Sequence, residues 1–140
     1  NVFGPRQDPQ GAYAAVIPRF IESIREGISP TIFGDGTQTR DFCFIENVIQ
    51  ANLLACEAPD AAGRAFNVGC GSRITLLDLV EAINEELGTK VAPEFGPTRA
   101  GDVQHSLASI EDAESILGYK PAVQFREGLR KTIAWYGRSL

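Results

Sequence analysis

A chain of 140 residues is long enough for one hydrophobic core, and its 44% apolar content is ordinary. No apolar run approaches the roughly 20 residues that a membrane-spanning helix needs, so a membrane span is not expected. The net charge of −5 argues against a nucleic-acid binder, whose affinity rests on clustered Lys and Arg.

Along the chain, the first fifteen residues are rich in Gly, Pro, Gln and Asp and have no sustained period, which predicts an irregular segment. Ile17, Phe20, Ile21, Ile24 and Ile28 follow helical spacing, with Pro18 in the first turn and Gly27 as a left-handed stop. Thr31-Ile32-Phe33 and the run from Arg40 to Phe44 read as strands flanking a glycine-rich turn. Val48, Ile49, Ala51, Leu53 and Cys56 suit a mostly buried helix after them. Ala65-Phe66-Asn67-Val68-Gly69 is a buried-strand candidate. Thr75 with Asp78 forms a capping box ahead of a helix with core residues Leu76, Leu79, Val80, Ile83 and Leu87, closed by Gly88. Val91 to Phe95 is expected as a strand, Ser109 with Asp112 as the start of a short helix stopped at Gly118, and Phe125, Leu129, Ile133 and Tyr136 as a last amphipathic helix. Strands interleaved with helices predict an α/β or α+β chain.

The chemistry concentrates in two places. Arg40 lies just past Gly34-Asp35-Gly36-Thr37-Gln38-Thr39, where a planar fork of donors can hold phosphate oxygens bidentately. An exposed ion pair with Asp41 is its plainer role. Arg99 and Asp102 flank Gly101, which permits a sharp turn bringing both side chains to one point; a solvated local ion pair is the plainer alternative. Gly69-Cys70-Gly71-Ser72-Arg73-Ile74 imitates a dinucleotide fingerprint, yet Ile74 stands where close helix packing needs a third glycine. His105 and Ser106 are adjacent, point to opposite faces in a strand and have no third partner. Cys43, Cys56 and Cys70 lack the close pairing of a metal or redox motif, and the single histidine joins no ligand cluster, so no metal is expected. A reduced, cytoplasmic compartment is the expected home.

The segments Asn1-Val2-Phe3-Gly4-Pro5-Arg6-Gln7, Gly34-Asp35-Gly36-Thr37-Gln38-Thr39-Arg40-Asp41 and Arg99-Ala100-Gly101-Asp102 together resemble the carboxyl-terminal part of nucleotide-sugar epimerases and dehydratases of the extended short-chain dehydrogenase/reductase family. The resemblance spans almost the whole chain. It implies an α/β fold made of the substrate-binding lobe plus one late strand of the Rossmann-like cofactor sheet, Phe66 to Gly69, with its helices. It further implies that Arg40 and Arg99 bind a sugar-nucleotide diphosphate, that Asp102 accepts from the ribose, and that the Asn1 amide contacts the diphosphate. Phe33 and the backbone around Val16 would line the base pocket, although a phenylalanine in a short strand is more often plain core.

The parent enzyme so implied is an NAD-dependent 4-epimerase of UDP-glucose or UDP-N-acetylglucosamine. Asp8 to Pro18 and Gly101 to Ala108 look closest to epimerases of UDP-N-acetylhexosamines. A 4,6-dehydratase and a non-catalytic nucleotide-sugar-binding module are the alternatives. No tyrosine here has a lysine four residues on, so no catalytic residue is assigned, and NAD is expected to be bound mainly outside this chain. The expected partners are a UDP-sugar and the amino-terminal cofactor-binding half, with a homodimer allowed for the parent enzyme. The start on a motif that the family carries deep inside its chain is expected of a fragment or a cropped domain.

Overall fold

The computed structural model describes residues 1–10 and 15–138. Gly11-Ala12-Tyr13-Ala14, part of the epimerase-like motif and of the segment expected to be irregular, lie outside the described residues.

The element order is β1 (Val2–Phe3), α1 (Val16–Arg25), β2 (Thr31–Phe33), β3 (Thr39–Arg40), β4 (Cys43–Phe44), α2 (Ile45–Glu57), β5 (Ile74–Thr75), α3 (Leu76–Leu87), β6 (Glu94–Gly96), α4 (Glu111–Leu117) and α5 (Phe125–Arg138), with a short 3-10 turn at Pro59–Ala61. The strands pair two by two: β1 with β4 in parallel, β2 with β6 in parallel, and β3 with β5 antiparallel. This is a mixed α/β fold.

Helix α1 buries Ile17, Pro18, Phe20, Ile21 and Ile24. It ends as expected at Gly27, whose φ of 73° lets the N–H groups of Gly27 and Ile28 return to the carbonyls of Ile24 and Ser23. That is a Schellman stop. Ile28 therefore lies past the helix and is exposed. Helix α3 opens on the expected Thr75–Asp78 capping box, and its C-cap Gly88 is left-handed at φ 67°.

Several expectations need correction. The strand expected over Arg40 to Phe44 is broken at Asp41-Phe42, because β3 and β4 serve different partners. Val2–Phe3, expected to be irregular, forms β1. Its two-residue ladder is set by a partner more than 40 positions away, which local periodicity cannot reveal. The strand expected at Val91 to Phe95 begins only at Glu94, since Val91 exchanges both backbone bonds with the Asn84 side chain at 2.8 and 2.9 Å. Ser109 does not cap α4; Ile110 occupies that position, and Gly118 closes the helix at φ 67° as expected.

Phe66 to Gly69 forms no strand. The Gly69 carbonyl accepts from Tyr119 Oη at 2.8 Å, and the next two amides are bound by Asp41, so no ladder competes for them. The expected mostly buried α2 is buried only along Asn47 and Ala51, while Ile49 and Leu53 are 52% and 63% exposed.

The main core packs α1, α3 and α5 around β1, β2 and β4. Phe3, Phe42, Phe44 and Phe125 form its aromatic floor, with Phe42 stacked on Phe125 at 5.8 Å between centroids. A Cβ on Gly128 would come within 2.8 Å of Phe44, so α5 can approach this floor only with glycine there. A second, smaller cluster of Ala51, Ala113, Leu117 and Tyr119 joins α2 to α4.

Candidate functional site

One cleft of about 660 Å³ opens between the first turns of α1, strand β2, the glycine turn and the 99–102 loop. Asn1, Val16, Phe33, Arg40, Arg99 and Asp102 all line it, although they come from five separate segments of the chain. The structure thus brings together every residue singled out from sequence for nucleotide-sugar binding.

The turn that presents Arg40 is tightly built. Gly34 and Gly36 have φ of 97° and 82°, and a Cβ on Gly36 would meet Leu77 at 2.8 Å. Asp35 accepts from Thr37 Oγ1 and the Thr37 amide at 2.7 and 2.9 Å, which lowers its pKa below the ordinary carboxylate value. Gln38, 4% exposed, donates through Nε2 to the Phe33 carbonyl at 2.7 Å and lines the cleft. Sequence reading missed this residue, and a polar side chain between two strand candidates was its only signal.

Arg40 follows this turn as the last residue of β3, where pairing with Ile74 of β5 fixes its backbone. Its guanidinium donates to the Thr39 carbonyl at 2.9 Å and to Asp102 Oδ1 at 2.6 Å. The plainer alternative of an Arg40–Asp41 pair does not hold. Asp41 is 5% exposed and accepts instead from the amides of Cys70 and Gly71.

The 99–102 loop makes the expected turn: the Asp102 amide donates to the Arg99 carbonyl at 3.2 Å, with Gly101 at φ 80°. Arg99 packs on Phe33. Its guanidinium lies 3.8 Å above the Phe33 ring centroid, a cation–π contact. Two of the expected ligand-binding residues therefore touch each other in this state, and so do Arg40 and Asp102.

Val16 forms the first residue of α1, and Asn1 is exposed at the cleft edge, its carbonyl receiving the Cys43 amide at 3.1 Å. Arg19, exposed on α1, adds a further cation to the lining that sequence reading did not identify. Three arginines around one cleft give an acidic chain the local positive potential that a polyanionic ligand needs. His105 lies apart from the cleft lining, bonded through Nδ1 to Thr39 Oγ1 at 3.0 Å.

The model of the NAD dependent epimerase/dehydratase family matches residues 1–69. The chain is 40% identical over 136 residues to a UDP-glucose 4-epimerase of Mycolicibacterium smegmatis, covering 97% of this chain and 43% of that protein. Its fold superposes on a UDP-glucose 4-epimerase of Thermotoga maritima solved with UDP-glucose, with a TM-score of 0.93, 38% identity, and coverage of 99% and 44%. It is also similar to a UDP-N-acetylglucosamine 4-epimerase of Methanobrevibacter ruminantium, solved in complex with UDP-N-acetylmuramic acid, at TM-score 0.92, 40% identity, and coverage of 100% and 44%. Its first 69 residues thus match the NAD dependent epimerase/dehydratase family, and nearly all of the chain is similar to part of these 4-epimerases. It spans less than half the length of these relatives.

The family is NAD-dependent, but the one segment here that imitates its glycine fingerprint does not fit that cofactor. In the Gly69-Cys70-Gly71 segment the amides that could face a dinucleotide diphosphate are already given to the Asp41 carboxylate, at 2.9 and 3.1 Å. Among the described residues, no group of three or more His, Cys, Asp or Glu could hold a metal ion, and no helix is long and apolar enough to cross a membrane.

Proposed function

We propose that residues 1–140 are the carboxyl-terminal, nucleotide-sugar-binding region of an NAD-dependent 4-epimerase acting on UDP-glucose or UDP-N-acetylglucosamine. The observation that carries this reading is the convergence of Arg40, Arg99 and Asp102, from two segments about 60 positions apart, with Phe33, Val16 and Asn1 in one cleft. In it, Arg40 and Arg99 neutralise the diphosphate, Asp102 accepts from the ribose, and Phe33 and Val16 line the base. Arg40 keeps Asp102 in place while offering further N–H donors to the phosphate. Arg99 gives up its place on the Phe33 ring as the nucleotide enters. This region supplies binding and orientation, and NAD chemistry belongs to a cofactor-binding half outside these residues.

Calorimetric titration of UDP tests the assignment. A charge-assisted hydrogen bond to an anion contributes about 1.5–3 kcal/mol, so Arg40→Ala and Arg99→Ala are each expected to weaken binding roughly tenfold or more. Unchanged affinity in Arg40→Ala removes the diphosphate assignment. Stacking on an aromatic ring contributes on the order of 1–3 kcal/mol, so Phe33→Ala is expected to weaken UDP and leave inorganic pyrophosphate almost untouched. Equal losses would make Phe33 a packing residue.

A non-catalytic nucleotide-sugar module is the second reading, favoured for this chain alone by its lack of a Tyr-x-x-x-Lys pair. The two separate when the chain is co-expressed with an amino-terminal cofactor-binding half. Interconversion of C4-epimeric UDP-sugars supports the epimerase, whereas UDP binding without turnover supports the module.

A further inference from the structure

His105 lies outside the cleft lining, yet it is tied to the strand that presents Arg40. We propose that His105 is a positioning residue for the nucleotide site: its bond to Thr39 fixes the strap of residues 99–106 so that Arg99 and Asp102 face Phe33 and Arg40. This inference rests on the nucleotide-binding reading of the cleft.

Beyond its contacts with Phe33 and Arg40, the strap has only polar bonds to hold it. Every residue from Arg99 to His105 is exposed, and Val103, the one large apolar side chain among them, is 59% exposed. Apolar packing therefore does not decide where this segment lies. The bonds that do decide it converge on β3 and the turn before it. The Thr39 amide donates to the Gln104 carbonyl at 2.9 Å, and the Ser106 amide donates to the Thr39 carbonyl at 3.1 Å, making a one-residue parallel bridge centred on His105. Gln104 Nε2 donates to Thr37 Oγ1 at 3.1 Å. The His105 ring completes the set, with Nδ1 3.0 Å from Thr39 Oγ1.

Thr39 is the residue through which this tie reaches the ligand groups. It is 9% exposed and is paired on its other edge with Thr75 of β5. Its carbonyl receives both the Ser106 amide and, at 2.9 Å, the Arg40 guanidinium. One peptide group thus holds Arg40 and the strap together, and Asp102, three residues before His105, meets Arg40 Nη2 at 2.6 Å. A buried hydroxyl needs a partner, and among the described residues His105 is the one that Thr39 Oγ1 has. Without the ring the strap loses its side-chain clasp on β3, and Arg99 and Asp102 are held less firmly over the cleft. The ligand then has to order the strap as it binds, a cost that the clasp removes beforehand.

Calorimetric titration of UDP and amide exchange in the ligand-free protein test this together. His105→Ala is expected to weaken UDP binding about two- to tenfold, the worth of one neutral hydrogen bond, and to speed exchange at the Asp102 and Ser106 amides. His105→Asn, which keeps a hydrogen-bonding atom close to the place of Nδ1, is expected to restore both readings. Thr39→Val removes the other partner, and because both substitutions break one bond, the double variant should bind UDP no more weakly than the weaker single variant. Faster exchange without weaker UDP binding would make the clasp purely structural and overturn the positioning role. Additive losses in the double variant, or failure of His105→Asn to restore binding, would overturn it too. Wild-type protein that binds no UDP, while exchange still responds to His105 as expected, would be a different failure: it removes the nucleotide reading of the cleft, and the positioning role with it, but leaves the Thr39–His105 clasp standing.

Discussion

The core beneath the cleft and the corner between α2 and α4 are held by different physics. Beneath the cleft, four phenylalanines and the apolar stripes of α1, α3 and α5 interlock, with Ile24, Ile32, Leu79, Ile83 and Leu129 at 0% exposure. In the corner, two of the four buried members are alanines, and Tyr119, Asn47 and Asp41 tie the backbone at Gly69, Val123, Cys70 and Gly71 through buried hydrogen bonds. On the corner's outer side Ile49 and Leu53 are exposed on α2. Apolar burial tolerates the loss of a polar atom but not of methylenes, and the reverse holds where few side chains carry specific bonds. The cleft therefore rests on a floor of interlocked apolar side chains, while the corner depends on a few polar anchors.

The largest expected effect falls on the core. Leu129→Ala removes a fully buried side chain facing the Phe floor and is expected to cost about 2–5 kcal/mol in urea denaturation. Leu53→Ala, at 63% exposure, is expected to change stability by less than about 0.5 kcal/mol. Equal losses at the two positions would mean that the α2 face is buried in solution, and the contrast between core and corner would fail.

Next in size comes the corner's polar anchor. Tyr119→Phe keeps the ring and removes the hydroxyl that donates to the Gly69 carbonyl, leaving a buried acceptor unpaired at a cost of about 1–3 kcal/mol. It is also expected to speed amide exchange at Cys70 and Gly71, whose partner Asp41 lies in the same cluster. No change in either reading would assign the corner to packing alone.

What the sequence disclosed divides along the same line. Helices α1, α3 and α5 were legible because a 3.6-residue stripe, a capping box and glycine stops are local signals, and they bound the core. The cleft residues were legible through resemblance; neither charge nor periodicity alone would have chosen Arg40 over Arg19. The pairing of Arg99 with the Phe33 ring was hidden, since loop conformation decides it. Two-residue strands such as β1 and β5 carry no period at all. The corner misled most. Phe66 to Gly69 has the apolar pattern of a strand, but its outcome depended on Tyr119 and Asp41, which lie 50 and 28 positions from Gly69. Buried hydrogen-bond networks leave no periodic trace.

The last expected effect concerns charge in the corner and separates two perturbed thiols from two ordinary cysteines. Thiolate absorbance near 240 nm, followed against pH in the folded protein with Cys56→Ser, is expected to show one ionisation near pH 7, where an ordinary thiol titrates at 9.0. The main cause is the neighbouring Cys70 thiol, so Cys70→Ala, which leaves no donor there, should move that midpoint upward. Because the folded pKa lies below the unfolded one, the unfolded chain binds more protons between pH 7 and 9, and stability should rise with pH across that window. Above it the sign reverses: Cys70 keeps its proton in the folded state while the unfolded thiol ionises, so the gain is offset and stability falls again. This maximum would be lost in Cys70→Ala. A single ionisation near 9 in both proteins, with no maximum, would mean that the corner leaves the Cys43 thiol unperturbed, and the contrast with the core would then rest on its hydrogen-bonded anchors alone.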